Sequence, residues 1–128
     1  MRGLLIRSPH IEKILRGEKI WEIRGSRTTV RGQIALIRSG SGEVVGTCEI
    51  VDCIGPLTDQ ELRRNAPKAG LRRAEAVSRY RRTYAWVIAK AGPLKRPVPY
   101  THPSGAVIWV ILGARTARAV SNAPRAHT

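Results

Sequence analysis

The segment Gly17-Glu18-Lys19-Ile20-Trp21-Glu22-Ile23-Arg24 constrains this chain more than any other stretch. As a strand, 20–24 sends Ile20, Glu22 and Arg24 to one face and Trp21 and Ile23 to the other. One face then sets a carboxylate beside a guanidinium, and the other delivers an aromatic and an aliphatic side chain to a core. Lys19 stands at the mouth of that strand, just after a glycine suited to ending a helix. A charged pair so placed can hold a polar, planar ligand such as a nucleobase, or a phosphate. It can equally be a half-exposed surface ion pair, which contributes little to stability.

The flanking sequence reads as short elements of one domain, since 128 residues suffice for one core and not two. Residues 3–7 suggest a strand. Ser8 followed by Pro9 suggests a helix start, with Ile11, Ile14 and Leu15 as its buried face and Gly17 as its stop. Residues 33–38 and 43–52 read as strands joined by Ser39-Gly40-Ser41-Gly42, and Gly46 predicts a bulge or a close backbone approach. Thr58 and Glu61 have the spacing of a capping box, starting a short helix to about Asn65. Residues 71–82 predict a second helix, with Ala74, Val77 and Tyr80 inward. Residues 84–90 and 106–112 are apolar enough for strands. Pro93, Pro97, Pro99 and Pro103 between them argue against regular structure. Residues 114–128 carry no periodicity and read as a basic tail through Arg115, Arg118 and Arg125. There are no internal repeats.

The longest apolar run has seven residues (106–112), far below membrane-spanning length, and Arg7 interrupts 3–6 before it could serve as a secretory signal. A cytoplasmic location and no membrane partner are the expectation. Cys48 and Cys53 are five apart, so a regular strand would direct them to opposite faces, away from a disulfide. Neither they nor His10, His102 and His127 have metal-ligand spacing, and no metal or cofactor is expected.

Twenty-three Lys and Arg against nine Asp and Glu give a net charge of +14, the electrostatic footprint of a nucleic-acid binder. The cations cluster: Arg63, Arg64, Lys68, Arg72, Arg73, Arg79, Arg81 and Arg82 are opposed within their stretch only by Glu75. Arginine bias in a GC-rich genome raises the total count, but explains clustering poorly. Arginine also suits phosphate forks and base stacking. Among the aromatics, Trp86 and Trp109 read as core, whereas Tyr80 and Tyr84 lie among arginines and suit base stacking, Tyr80 more so. A stiff loop presents Tyr100, Thr101, His102 and Ser104, which can line a ligand pocket or merely satisfy its own backbone.

Small residue, Gly, x, Lys, x, x, Glu, x, Arg is the hallmark of the ASCH domain, a β-barrel related to the PUA domains of RNA-modification proteins. Gly17 to Arg24 carries the pattern from its glycine to its arginine without a gap, and the chain resembles that family over roughly residues 3–112. The resemblance implies an α+β, mainly β fold: a PUA-like barrel with short flanking helices. It also implies a cleft at Lys19, Glu22 and Arg24 that takes RNA or a modified nucleoside. Arg72, Arg73, Arg79, Arg81 and Arg82 would face phosphates, and Tyr100, His102 and Ser104 are further candidate contacts. Some ASCH proteins resembling this one remove the acetyl group of N4-acetylcytidine, using the motif lysine, a hydroxyl three residues on, and a downstream glutamate. Lys19 matches that lysine, but Glu22 stands at the hydroxyl position. Ser26, Thr28, Thr29 and Ser104 are the remaining hydroxyls, and Glu61 or Glu75 the remaining carboxylates. Ribonuclease chemistry is the other enzymatic alternative, with Glu22 or His102 as base and Lys19 or Arg24 facing the phosphate.

Overall fold

Alternating apolar residues in the first strands are buried on both faces. The computed structural model describes residues 1–126 and pairs β1 (Arg2–Ile6) in parallel with β3 (Gly32–Arg38). Leu4, Ile6, Ile34 and Leu36 enter one apolar cluster, and Leu5, Ala35 and Ile37 enter another on the opposite side. Each of these leucine and isoleucine side chains contributes about 1.5–3 kcal/mol by burial. Helix α1 (His10–Leu15) covers the first side through Ile11 and Ile14. The remaining elements are β2 (Trp21–Arg24), β4 (Glu43–Ile54), α2 (Asp59–Arg64), β5 (Tyr84–Pro99), β6 (Trp109–Ile111) and α3 (Ala114–Asn122). Together the strands make a six-stranded half-barrel in the order β2-β5-β4-β3-β1-β6. Apart from β1 and β3, neighbouring strands are antiparallel.

Gly46 lies where β4 shifts register against β5, and a Cβ there would sit 2.6 Å from the Gly92 carbonyl oxygen and overlap Leu15. The bulge and the close approach both occur. The Thr58 capping box opens α2, with the hydroxyl accepting from Glu61 N–H and the Glu61 carboxylate accepting from Thr58 N–H. Gly17, at φ +78, ends α1. Trp86 and Trp109 stack at 5.7 Å between ring centroids, as core aromatics should.

Five expectations are corrected. Ser8 does not cap α1: its hydroxyl donates to Glu12 Oε2, and the helix begins at His10. Residues 71–82 are not a helix but a single 3-10 turn, Arg73–Glu75, followed by irregular chain. A helix so dense in like charges has little to bury, and side chains take over its backbone groups instead. Glu75 accepts from Arg72 N–H, and Ser78 N–H donates to Asp59. The prolines after residue 92 do not stop β5, because β2 pairs only as far as Val87 and leaves the outer edge of β5 without that neighbour. Residues 114–122 of the expected tail form α3, whose Val120 is buried with Leu94, Val110 and Leu112. The chain then returns along β5 through Lys95 N–H to Pro124 O (2.8 Å) and Ala126 N–H to Pro93 O (3.0 Å). His127 and Thr128, also in that expected tail, lie outside the described residues. Finally, register shifts between Thr47 and Glu49 and between Ile50 and Asp52 break the alternation of β4. Cys48 is buried in the first cluster, and Cys53 packs against the same one; both are free thiols.

No helix among the described residues is long and apolar enough to cross a membrane.

Candidate functional site

The motif assembles by short-range geometry. Beyond Gly17, the Glu18 and Lys19 amides both donate to Lys13 O, folding the chain back against α1. The Ile20 and Trp21 amides donate to Lys68 O, which ties the strand entrance to the loop after α2. Trp21 then packs with Leu62, Ala66 and Ala69, leaving Glu22 and Arg24 on the other face as strand alternation requires.

That face is not a surface ion pair. Lys19 is 2% exposed and Glu22 6%. Lys19 Nζ donates to Ala69 O at 2.7 Å and lies 3.6 Å from Glu22 Oε1. Arg24 approaches Glu22 Oε2 with Nε at 2.9 Å and Nη2 at 2.8 Å, and Nη2 also donates to Leu5 O. The Arg24 guanidinium lies 5.5 Å over the Trp86 ring. One carboxylate is thus held between two cations, each also anchored to a backbone carbonyl. Burial holds the Lys19 amine below the usual lysine range, and the charge and hydrogen bond of Glu22 oppose that shift.

These three residues line a cleft of about 680 Å³. His10 and Lys13 of α1 line one wall, with Arg7 beside them; Leu71, Glu75, Val77, Arg79 and Tyr80 come from the segment after α2. Lys13 Nζ donates to Gly70 O at 2.8 Å, beside the Lys19 bond to Ala69 O. Two lysines from the motif side therefore hold consecutive carbonyls at the root of that segment. The Tyr80 ring lies against Gly25, where an added Cβ would come within 2.6 Å of it.

Of the sequence-derived candidates, Lys19, Glu22, Arg24 and Arg79 meet at the cleft. Arg73, Arg81 and Arg82 are exposed and do not line it, and Arg72 pairs with Glu75 at 3.1 Å. Tyr100, His102 and Ser104 are not brought to it either. Tyr100 Oη and His102 Nδ1 are hydrogen-bonded at 2.8 Å, and His102 Nε2 lies 2.9 Å from Ala106 O, so the loop satisfies itself. Ser26, Thr28, Thr29 and Glu61 also stand away from the cleft lining, whereas Glu75 joins it. Sequence reasoning missed His10 and Lys13. Their spacing on the first turn of α1 puts them on one side of a helix, but the far wall of the cleft comes from sixty residues later in the chain. Among the described residues no group of three His, Cys, Asp or Glu side chains is placed to hold a metal ion.

The family model described as the ASCH domain matches residues 4–97. Among solved structures, the crystal structure of ASCH from Zymomonas mobilis is similar with a TM-score of 0.73 at 14% identity, covering 95% of this chain and 94% of that one. A tyrosine-to-phenylalanine variant of the Zymomonas mobilis protein gives 0.72, again at 14% identity, covering 95% of this chain and 97% of that one. Its serine-to-alanine variant gives 0.71 at 14% identity, with 95% of each chain covered. At this identity the likeness speaks for the fold. No curated protein matches the chain in sequence.

Proposed function

The chain belongs to the ASCH domain family, a PUA-like fold, and on that premise we propose that it binds RNA, seating one base or modified nucleoside in the cleft at Lys19, Glu22 and Arg24. The observation that carries this reading is the buried carboxylate held between two cations in a cleft also lined by Arg7 and Arg79. A carboxylate accepts from the amino or imino groups of a base edge, while lysine and arginine donate to its carbonyls and ring nitrogens. Such an arrangement suits an unpaired base, whose edge is free to enter. Outside the cleft, Arg63, Arg64, Lys68, Arg73, Arg81 and Arg82 are exposed, and of the eight cations from Arg63 to Arg82 only Arg72 has an ion-pair partner among the described residues. Those cations suit phosphates.

The test is salt dependence. Replacing Arg73, Arg81 and Arg82 with Glu removes exposed cations that contribute nothing to the core. Affinity for single-stranded RNA should fall for every sequence, and the slope of log affinity against log salt should flatten by about 0.7 per lost phosphate contact. An unchanged slope in a folded variant would mark the charge as composition without function.

Hydrolysis in the same cleft is the second reading. It has in its favour Glu75 on the cleft lining and a Lys19 amine disposed by burial to lose its proton more readily. Against it, Glu22 occupies the position of the hydroxyl in the acetylcytidine hydrolases, and both of its oxygens are engaged by cations. Binding is the better-supported function.

A further inference from the structure

Among the described residues, one buried side-chain polar atom has no hydrogen-bond partner: Nδ1 of His10. Native proteins rarely leave such an atom, and each case needs an explanation. His10 lines the cleft beside Lys13, Lys19 and Arg24, each of which already has a partner and keeps further N–H groups free. Arg24 is engaged by Glu22 and Leu5 O, Lys19 by Ala69 O and Glu22, and Lys13 by Gly70 O. Among the described residues, its Nδ1 is the one buried side-chain polar atom of this wall that has no partner.

Resting on the RNA-binding reading above, we infer that His10 is a specificity-determining residue of the cleft, offering its Nε2–H as a hydrogen-bond donor to an acceptor on the bound base. Nδ1 is shut off from solvent, which leaves Nε2 as the nitrogen available to an occupant. Burial, then the charge of Lys19, favour the neutral ring, with Lys13 and Arg24 adding to this and Glu22 opposing it. A buried N–H without an acceptor is rarer than a buried lone pair without a donor, so the lone pair belongs on the sealed Nδ1 and the proton on Nε2. A neutral donor discriminates among bases without adding to phosphate attraction. It therefore bears on which base enters, while the exposed arginines bear on how tightly any RNA is held.

Two variants of similar bulk separate hydrogen bonding from packing. His10→Gln places an amide N–H near the position of Nε2, and His10→Leu fills the space with no donor. The probes are fluorescently labelled single-stranded RNA homopolymers of A, C, G and U, titrated into each protein by anisotropy at two salt concentrations, with thermal melts alongside. The expected result is a preference for one homopolymer in the wild type, retained in His10→Gln. In His10→Leu that preference should weaken by roughly three- to tenfold, the worth of one neutral hydrogen bond, with the salt slope unchanged. A His10→Leu protein that keeps the ranking, a His10→Gln protein as impaired as the leucine variant, or a wild type with no preference would each overturn the assignment. Salt-dependent binding would survive all three outcomes. Its absence from the wild type would instead sink the RNA-binding reading itself.

Discussion

Glu22 holds two cations that would otherwise be buried without an opposite charge. Its side chain and that of Lys19 are almost wholly enclosed, and Arg24 is largely so. Glu22→Gln keeps the shape and removes the charge, leaving Lys19 and Arg24 to repel each other in a poorly solvated cleft. Removing one member of a buried ionic group costs about 3–5 kcal/mol, and the amide's remaining hydrogen bonds should reduce this to roughly 2–4 kcal/mol. Urea denaturation of the two proteins measures it; a loss under about 1 kcal/mol would mean the charges are solvated. Cys48 offers a second residue-scale check. Burial pushes its thiol up to about 12 from 9.0, with Glu22 and Glu49 adding to the shift. Between those values the unfolded chain has lost a proton that the native protein keeps, so the native state binds more protons and stability falls as pH rises. From pH 8.5 upward the wild type should lose stability relative to Cys48→Ala, and a difference that does not change with pH would contradict the shift. At this scale the sequence was partly legible. Strand alternation alone placed Glu22 and Arg24 together, because that rule is local. The burial of Lys19 was not legible, because the carbonyl it binds is fifty positions away in the chain.

Elements were read well where a local rule decided them and poorly where tertiary contact did. The capping box of α2 and the glycine that ends α1 depend on a few neighbouring residues, and both stand as read. The expected helix over 71–82 had acceptable spacing, yet Ala74, Val77 and Tyr80 are exposed and only Ala76 is buried. Its spacing carried no information about whether a partner surface existed. Helix α3 shows the reverse. Ala117 and Val120, with Ala123 just past the helix end, face the second apolar cluster while Arg115 and Arg118 are exposed, an amphipathic period that was present in the sequence but rests on one large apolar residue. If α3 is part of the folded core, Val120→Asp should destabilise by more than about 3 kcal/mol, since it buries a charge with no partner. The melting temperature should drop accordingly. A melt within a degree or two of wild type would mean that the helix is dispensable.

At the scale of the whole molecule, charge and shape divide the work. Among the described residues, five of the nine acidic residues form ion pairs, and two of these join neighbouring elements, Glu12 with Arg38 and Glu49 with Lys90. The surplus cations gather on the stretch from α2 to the segment that lines the cleft, so this surface of unopposed charge adjoins the cleft in which Lys19 and Glu22 are buried. Attraction of a polyanion to that surface would bring its bases to the mouth of the cleft, beside Tyr80 and Arg79. The most direct test follows the backbone amide resonances of ¹⁵N-labelled protein during titration with single-stranded RNA of about ten nucleotides. Binding as described here should shift His10, Lys13, Lys19, Glu22 and Arg24 together with residues 71–82. Shifts confined to the exposed arginines, with the motif and His10 unmoved at saturation, would contradict it.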